Sequence, residues 1–296
     1  MNKTPNPILK KLGYSKDDRV VIIHADDIGM CQSTISAIAE LDAAGVVTSS
    51  AVMVPCPWFL SAAAYARNHP EIDLGIHLTI NSEWKTYRWG PISTTDPRSG
   101  LIDNEGYFYH KFEEAQEHGC PQAVGLELKA QIQRALAAGI HPTHVDSHMF
   151  TLLHPKFIEI YLQTAYRFGL PAMMPRRTVK HWQHRGSSFE TAEKTVNMVH
   201  EFEEQGYPML DCSIGLKLDD FENRLEQTKR ALSDLPVGLS HFYFHPCKDT
   251  HEIRAITTDW QGRVADHRVF LDKNLQKHIQ NIGIQIIGYR PLLQVM

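Results

Sequence analysis

Short apolar runs alternate along this chain with longer amphipathic stretches, and each run that reads as a strand is followed by a segment that reads as a helix. The run at 20–25, Val-Val-Ile-Ile-His-Ala, is too apolar for a half-exposed strand and reads as one buried on both faces. Residues 33–44 read as a helix: Ser33 can cap it, Ile35, Ile38, Ala39 and Leu41 form an apolar face, and Gly45 follows its end. Further strands are expected at 46–54, 73–79, 143–147, 170–174, 209–213, 238–244 and 283–287. Further helices are expected at 57–68, 121–138, 155–168, 190–205, 219–233 and 268–281. Such repetition implies an α/β fold with a parallel sheet or barrel. A (β/α) barrel of seven or eight strands is the expected form, with a doubly wound open sheet as the alternative.

The polar residues of interest fall at the C-terminal ends of these runs. Asp26 and Asp27 close the first, His77 the third, His148 follows the fourth, and His245 follows 238–244. In a barrel those ends share one face, where active sites are built. An unpaired buried carboxylate is costly or stays protonated, so two acids at a strand end must meet water, a metal or a substrate. One Asp and two His on separate strand ends is a metal-site composition, and a neighbouring free acid is what a hydrolase needs. Strand alternation puts His144, Asp146 and His148 on one face, which leaves both His144 and His148 open as ligands. The same alternation sends Asp26 and Asp27 to opposite faces. Both can serve one site only if the strand has ended there, and Gly29 permits such a turn.

Composition narrows the partners. Of 296 residues, 43% are hydrophobic and 22% charged, ample for a full core, and the formal net charge is −4. With no basic run, neither nucleic acid nor an anionic membrane is an expected partner. No uninterrupted apolar stretch is long enough for a membrane helix, and residues 1–11 lack a leader pattern. Five scattered cysteines without CxxC spacing suit a reduced, cytoplasmic setting. No GxGxxG, P-loop or GxSxG pattern occurs. Cys247, two residues from His245, reads as a free buried thiol more readily than as a nucleophile. No linker divides the chain, so residues 1–296 are expected to be one domain with a long insertion loop at about 80–120. That loop holds Trp84, Tyr87, Arg88, Trp89 and Tyr107, rings suited either to stacking on a sugar or to packing the loop down.

At these residues the chain resembles the YdjC-like carbohydrate deacetylases. The matching blocks are His24-Ala25-Asp26-Asp27-Ile28-Gly29, Gly45-Val46-Val47-Thr48-Ser49, Gly75-Ile76-His77-Leu78, Pro142-Thr143-His144-Val145-Asp146-Ser147-His148, His245-Pro246 and Gly288-Tyr289-Arg290. The resemblance implies a distorted (β/α) barrel that removes N-acetyl groups from an amino sugar or oligosaccharide. It implies one divalent metal ion, magnesium or zinc, on Asp27, His77 and His148. It places the general base on Asp26 and the proton donor to the leaving amine on His245. Trp84, Arg176 and Arg290 are the candidate substrate contacts, and a homodimer is left open. The chain departs from the family at 149–154 and 83–91, which bears on the substrate. The rival readings are another metal-dependent hydrolase, a phosphoesterase or cyclic amidase, and a non-catalytic sugar-binding protein.

Overall fold

The computed structural model describes residues 4–296. Seven parallel strands form one sheet: β1 (Arg19–Ile28), β2 (Ser49–Val52), β3 (Leu74–Leu78), β4 (Val145–Ser147), β5 (Cys212–Gly215), β6 (Gly238–Phe244) and β7 (Gln285–Ile287). The order is β4-β3-β2-β1-β6-β5, with β7 also paired to β1. β1 is long enough to serve two neighbours on one edge: β7 pairs with Val20–Ile22, and β2 begins at His24. Two isolated bridges, Val145 with Ala172 and Pro175 with Leu210, carry the hydrogen bonding from β4 round to the start of β5. The sheet therefore curls into a distorted (β/α) barrel. The strand expected at 170–174 is reduced to those bridges.

The double burial read from the β1 sequence has a structural cause. Val21, Ile23 and Ala25 pack outward against the helical layer, while Val20 and Ile22 join Met173, Leu239 and Tyr289 in a second cluster. Ile8 and Leu9, from the short helix Pro7–Lys11, complete that second cluster. Even-numbered residues of β1 thus share one face, and His24 and Asp26 continue the row.

Most helices lie near their expected places, with changed ends. The first long one is Gln32–Ala44, closed by Gly45 at φ 69°; its cap position is Cys31, and Ser33 is buried inside it. The helix expected at 268–281 is in fact two, Trp260–Phe270 and Lys273–Asn281. Asp272 separates them by accepting from the Asn274 N–H, a cap that starts a new helix. Residues 80–120 hold a short 3₁₀ turn, Pro97–Ser99, and the helix Phe112–His118. This loop is tied down by polar anchors. Arg88 donates to Asp103, Glu105 and the Phe108 carbonyl, and the Trp89 indole donates to the Asn81 carbonyl. No helix among the described residues is long and apolar enough to cross a membrane.

Candidate active site

The conflict between strand alternation and two adjacent acids is resolved by a bulge. Between Ala25 and Ile28 the register of β1 on β2 shifts, and Asp27 takes φ 64°. A left-handed residue inside a strand re-aims its own side chain. Asp26 keeps the direction set by Ile22 and His24, and Asp27 is swung round beside it. Both line one cavity of about 200 Å³, together with Glu83, His148, Tyr243, His245 and Arg263.

Asp27 is the hub. Its Oδ1 lies 3.4 Å from His77 Nε2 and 3.3 Å from His148 Nδ1. Its Oδ2 accepts from Arg263 at 2.6 Å, and Arg263 is held in turn by Asp259. The far nitrogen of each histidine faces another carboxylate: His77 Nδ1 is 2.8 Å from Asp146 Oδ1, and His148 Nε2 is 3.0 Å from Glu83 Oε2. An ionised carboxylate only accepts, so those far nitrogens carry the protons. The near nitrogens are left as lone pairs, each within 3.4 Å of the Asp27 oxygen. Asp27 Oδ1 is buried without a hydrogen-bond partner.

Three electron-pair donors within 4.8 Å of one another fit a cation. One Asp with two His, each imidazole oriented by an outer carboxylate, is the donor set of a divalent metal site. Burial alone would lower the His148 pKa, but the Glu83 charge and the nearby Asp27 carboxylate override it and raise it to about 9. Burial would raise the Asp27 pKa, yet the adjacent His148 and His77 rings and the Arg263 charge hold it well below the usual carboxylate range.

Asp26 stands on the other side of His77. Its Oδ1 is 3.8 Å from His77 Nδ1, and its Oδ2 is 3.7 Å from His245 Nε2, too long for a hydrogen bond. The His245 backbone N–H donates to Asp266, which is itself paired with Arg224, so the loop after β6 is pinned in place.

The structure thus brings together Asp26, Asp27, His77, His148 and His245. It does not bring His144, whose ring lies buried and stacked on Tyr289 at 3.8 Å. The three expected substrate contacts, Trp84, Arg176 and Arg290, lie outside the lining of this cavity. The Arg176 guanidinium is buried between Asp211 and Glu203, away from the cavity; its neighbour Arg177 lines a separate cleft. The Arg290 guanidinium binds the carbonyls of Pro70, Glu71 and Ile72, before β3 and at the opposite end of that strand from His77. Trp84 packs edge-on against Trp89 with the Arg263 guanidinium over its ring, so it braces the site instead of lining it.

Sequence reasoning missed Arg263 and Glu83. Asp259 and Arg263 stand four apart, a spacing that makes a helical ion pair and was the available signal. Nothing in the sequence of an irregular loop singles out Glu83.

A parallel barrel with acids and histidines converging at its C-terminal strand ends defines a class of enzyme-like architectures. Comparison with known proteins narrows it: the family model described as YdjC-like protein matches residues 20–281, and the chain belongs to that family. A carbohydrate deacetylase of Brevibacillus brevis is 34% identical over 275 residues, 92% of this chain and 99% of the relative. A carbohydrate deacetylase of Thermus thermophilus is 31% identical over 267 residues, 88% of this chain and 89% of the relative. A crystal structure from Enterococcus faecalis V583, named for a role in cellobiose-phosphate cleavage, shares the fold at a TM-score of 0.74. It is 22% identical, with 93% of this chain and 99% of that chain covered.

Proposed function

We propose that this protein is a metal-dependent carbohydrate deacetylase that hydrolyses an N-acetyl group to acetate and a free amine, with residues 1–296 acting as one domain. The observation that carries the reading is the Asp27 carboxylate. One oxygen is satisfied by Arg263, and the other is left unpartnered within 3.4 Å of two imidazole nitrogens, with the free acid Asp26 alongside. The names of the relatives supply the substrate class.

Asp27, His77 and His148 would hold the ion. Two imidazoles favour zinc over magnesium, which prefers an all-oxygen shell. Bound there, a divalent cation supplies Lewis-acid polarisation of the acetamide carbonyl and acidifies water. Asp26 takes a proton from the attacking water as the new C–O bond forms. His245, whose Nε2 lies 3.7 Å from Asp26 Oδ2, gives a proton to the nitrogen as the C–N bond breaks. Arg263 stays on Asp27 and keeps its free oxygen aimed inward. It is the one Arg or Lys lining this cavity among the described residues, and it is already paired with Asp27 and Asp259. No free cation is left there to grip a phosphodiester, which weighs against a phosphoesterase. A cleft of about 600 Å³, carrying Arg177, His181 and Arg185, shares Phe150 with the catalytic cavity and leaves room for further sugar units.

The test is acetate release from a panel of N-acetylated mono- and oligosaccharides, after chelation and with zinc or magnesium restored. Release that depends on the added metal is expected. A zinc-loaded protein that frees acetate from none of the panel overturns the reading.

A further inference from the structure

Behind the cavity, two carboxylates converge on one buried imidazole. His24 is fully buried, and its Nε2 lies 3.0 Å from Asp146 Oδ2 and 3.1 Å from Asp26 Oδ1. Its Nδ1 is 3.0 Å from Ser49 Oγ. Nε2 sits between the two acids, off the line of a hydrogen bond to either. The other oxygen of Asp146 holds His77 Nδ1. A continuous chain of contacts therefore runs from Asp26 through His24 and Asp146 to His77.

The surroundings fix this ring. His241 and His144 stand against it at centroid distances of 4.6 and 5.1 Å. Tyr289 stacks on His144, and its hydroxyl is 2.9 Å from His241 Nδ1. A side chain at Gly75 would come within 2.3 Å of the His144 ring, so β3 presses flat against this wall. The contrast with His241 is informative. His241 is a core histidine with a neutral hydroxyl for a partner, and burial followed by the His24 charge keeps its pKa well below the ordinary value. His24 is enclosed by the same rings yet faces two acids. Burial would lower its pKa, but the adjacent Asp146 and Asp26 carboxylates raise it to about 9. Two carboxylates drawn this close repel unless a positive group lies between them.

We propose that His24 is a positioning residue that binds Asp26 and Asp146 to one nitrogen, so that the acting acid and the acid orienting His77 are set as a unit. This rests on the deacetylase reading above. The substrate does not touch His24; its effect passes through Asp26 and through Asp146 to His77.

The experiment uses the full chain with three substitutions: His24→Phe, His24→Gln and Ser49→Ala. The readouts are Zn²⁺ affinity against a chromophoric chelator, kcat and KM for acetate release, and the thermal midpoint. Wild type is measured first. If it binds no Zn²⁺ or releases no acetate, the deacetylase reading falls and this inference falls with it. With wild type active, His24→Phe is expected to lose about 10–100-fold in both Zn²⁺ affinity and kcat, the range for groups that orient metal ligands, with KM little changed. The amide N–H of His24→Gln replaces Nε2 and should recover part of both losses. Ser49→Ala, which frees only Nδ1, should shift both readouts in the same direction by less. Wild-type Zn²⁺ affinity and kcat in folded His24→Phe overturn the proposal, as does a rise in KM without a fall in kcat. Should His24→Phe not fold, wild-type values in both His24→Gln and Ser49→Ala overturn it.

Discussion

Asp211 and Asp27 are largely buried acids at opposite ends of the barrel strands, and they use their oxygens differently. Asp211, just before β5, is filled: Oδ1 pairs with Arg176, and Oδ2 accepts from Asn6 and from the Leu239 N–H, each at 2.8 Å. Asp73, before β3, is similar, accepting from Thr143 on one oxygen and from the Arg290 N–H on the other. Asp27 is filled on one oxygen only. A closed set of partners holds a fold together. A set left open at one atom, with two imidazole nitrogens beside it, is built for something the chain does not itself supply.

Substitutions on the two sides should therefore fail in different ways. The largest effect is expected from Asp27→Asn, which removes the charge on the open oxygen. Zn²⁺ should not survive gel filtration, and acetate release should fall to background. Asp26→Asn should lower kcat by about 10²–10⁴ while Zn²⁺ stays stoichiometric; loss of the ion would make Asp26 a ligand. Arg176→Ala should do the reverse of both. It strands Asp211 and Glu203, so chemical denaturation should show a loss of about 3 kcal/mol, with kcat per folded molecule unchanged. A fall in kcat there would break the division between the two ends.

A pH series sharpens the same contrast. The His24 pKa is raised from 6.5 to about 9 in the folded protein, as the adjacent Asp146 and Asp26 carboxylates outweigh burial. A raised pKa contributes stability that is fully present below 6.5 and lost as pH climbs through about 9. The stability gap between metal-free wild type and His24→Phe should narrow over that window; a gap that does not narrow would show the ring is held neutral. The smallest effect is expected from Arg290→Ala. That exposed guanidinium holds loop carbonyls, so about 1 kcal/mol of stability should go with KM for the sugar unmoved.

The regions differ also in how far the sequence exposes them. β1 was legible because burial on both faces requires an unbroken apolar run. The converging strand ends were legible because a barrel gathers them on one face. The swing of Asp27 was not, since only the pairing of β1 with β2 shows where the register slips. Arg263 was hidden because 268–281 reads as one amphipathic helix, whereas the helix bearing Arg263 starts at Trp260 and ends where Asp272 caps the next. Arg176 and Arg177 are adjacent and identical, and only the tertiary partners decide that the first is sequestered by Asp211 while the second lines a cleft.

The most direct test of the open oxygen is zinc stoichiometry in wild type, His148→Ala and His144→Ala. The two histidines flank β4 and lie four residues apart, yet His148 reaches Asp27 while His144 stacks on Tyr289. One zinc per chain is expected in wild type and in folded His144→Ala, and none in His148→Ala. A full equivalent of zinc retained by His148→Ala would contradict the account.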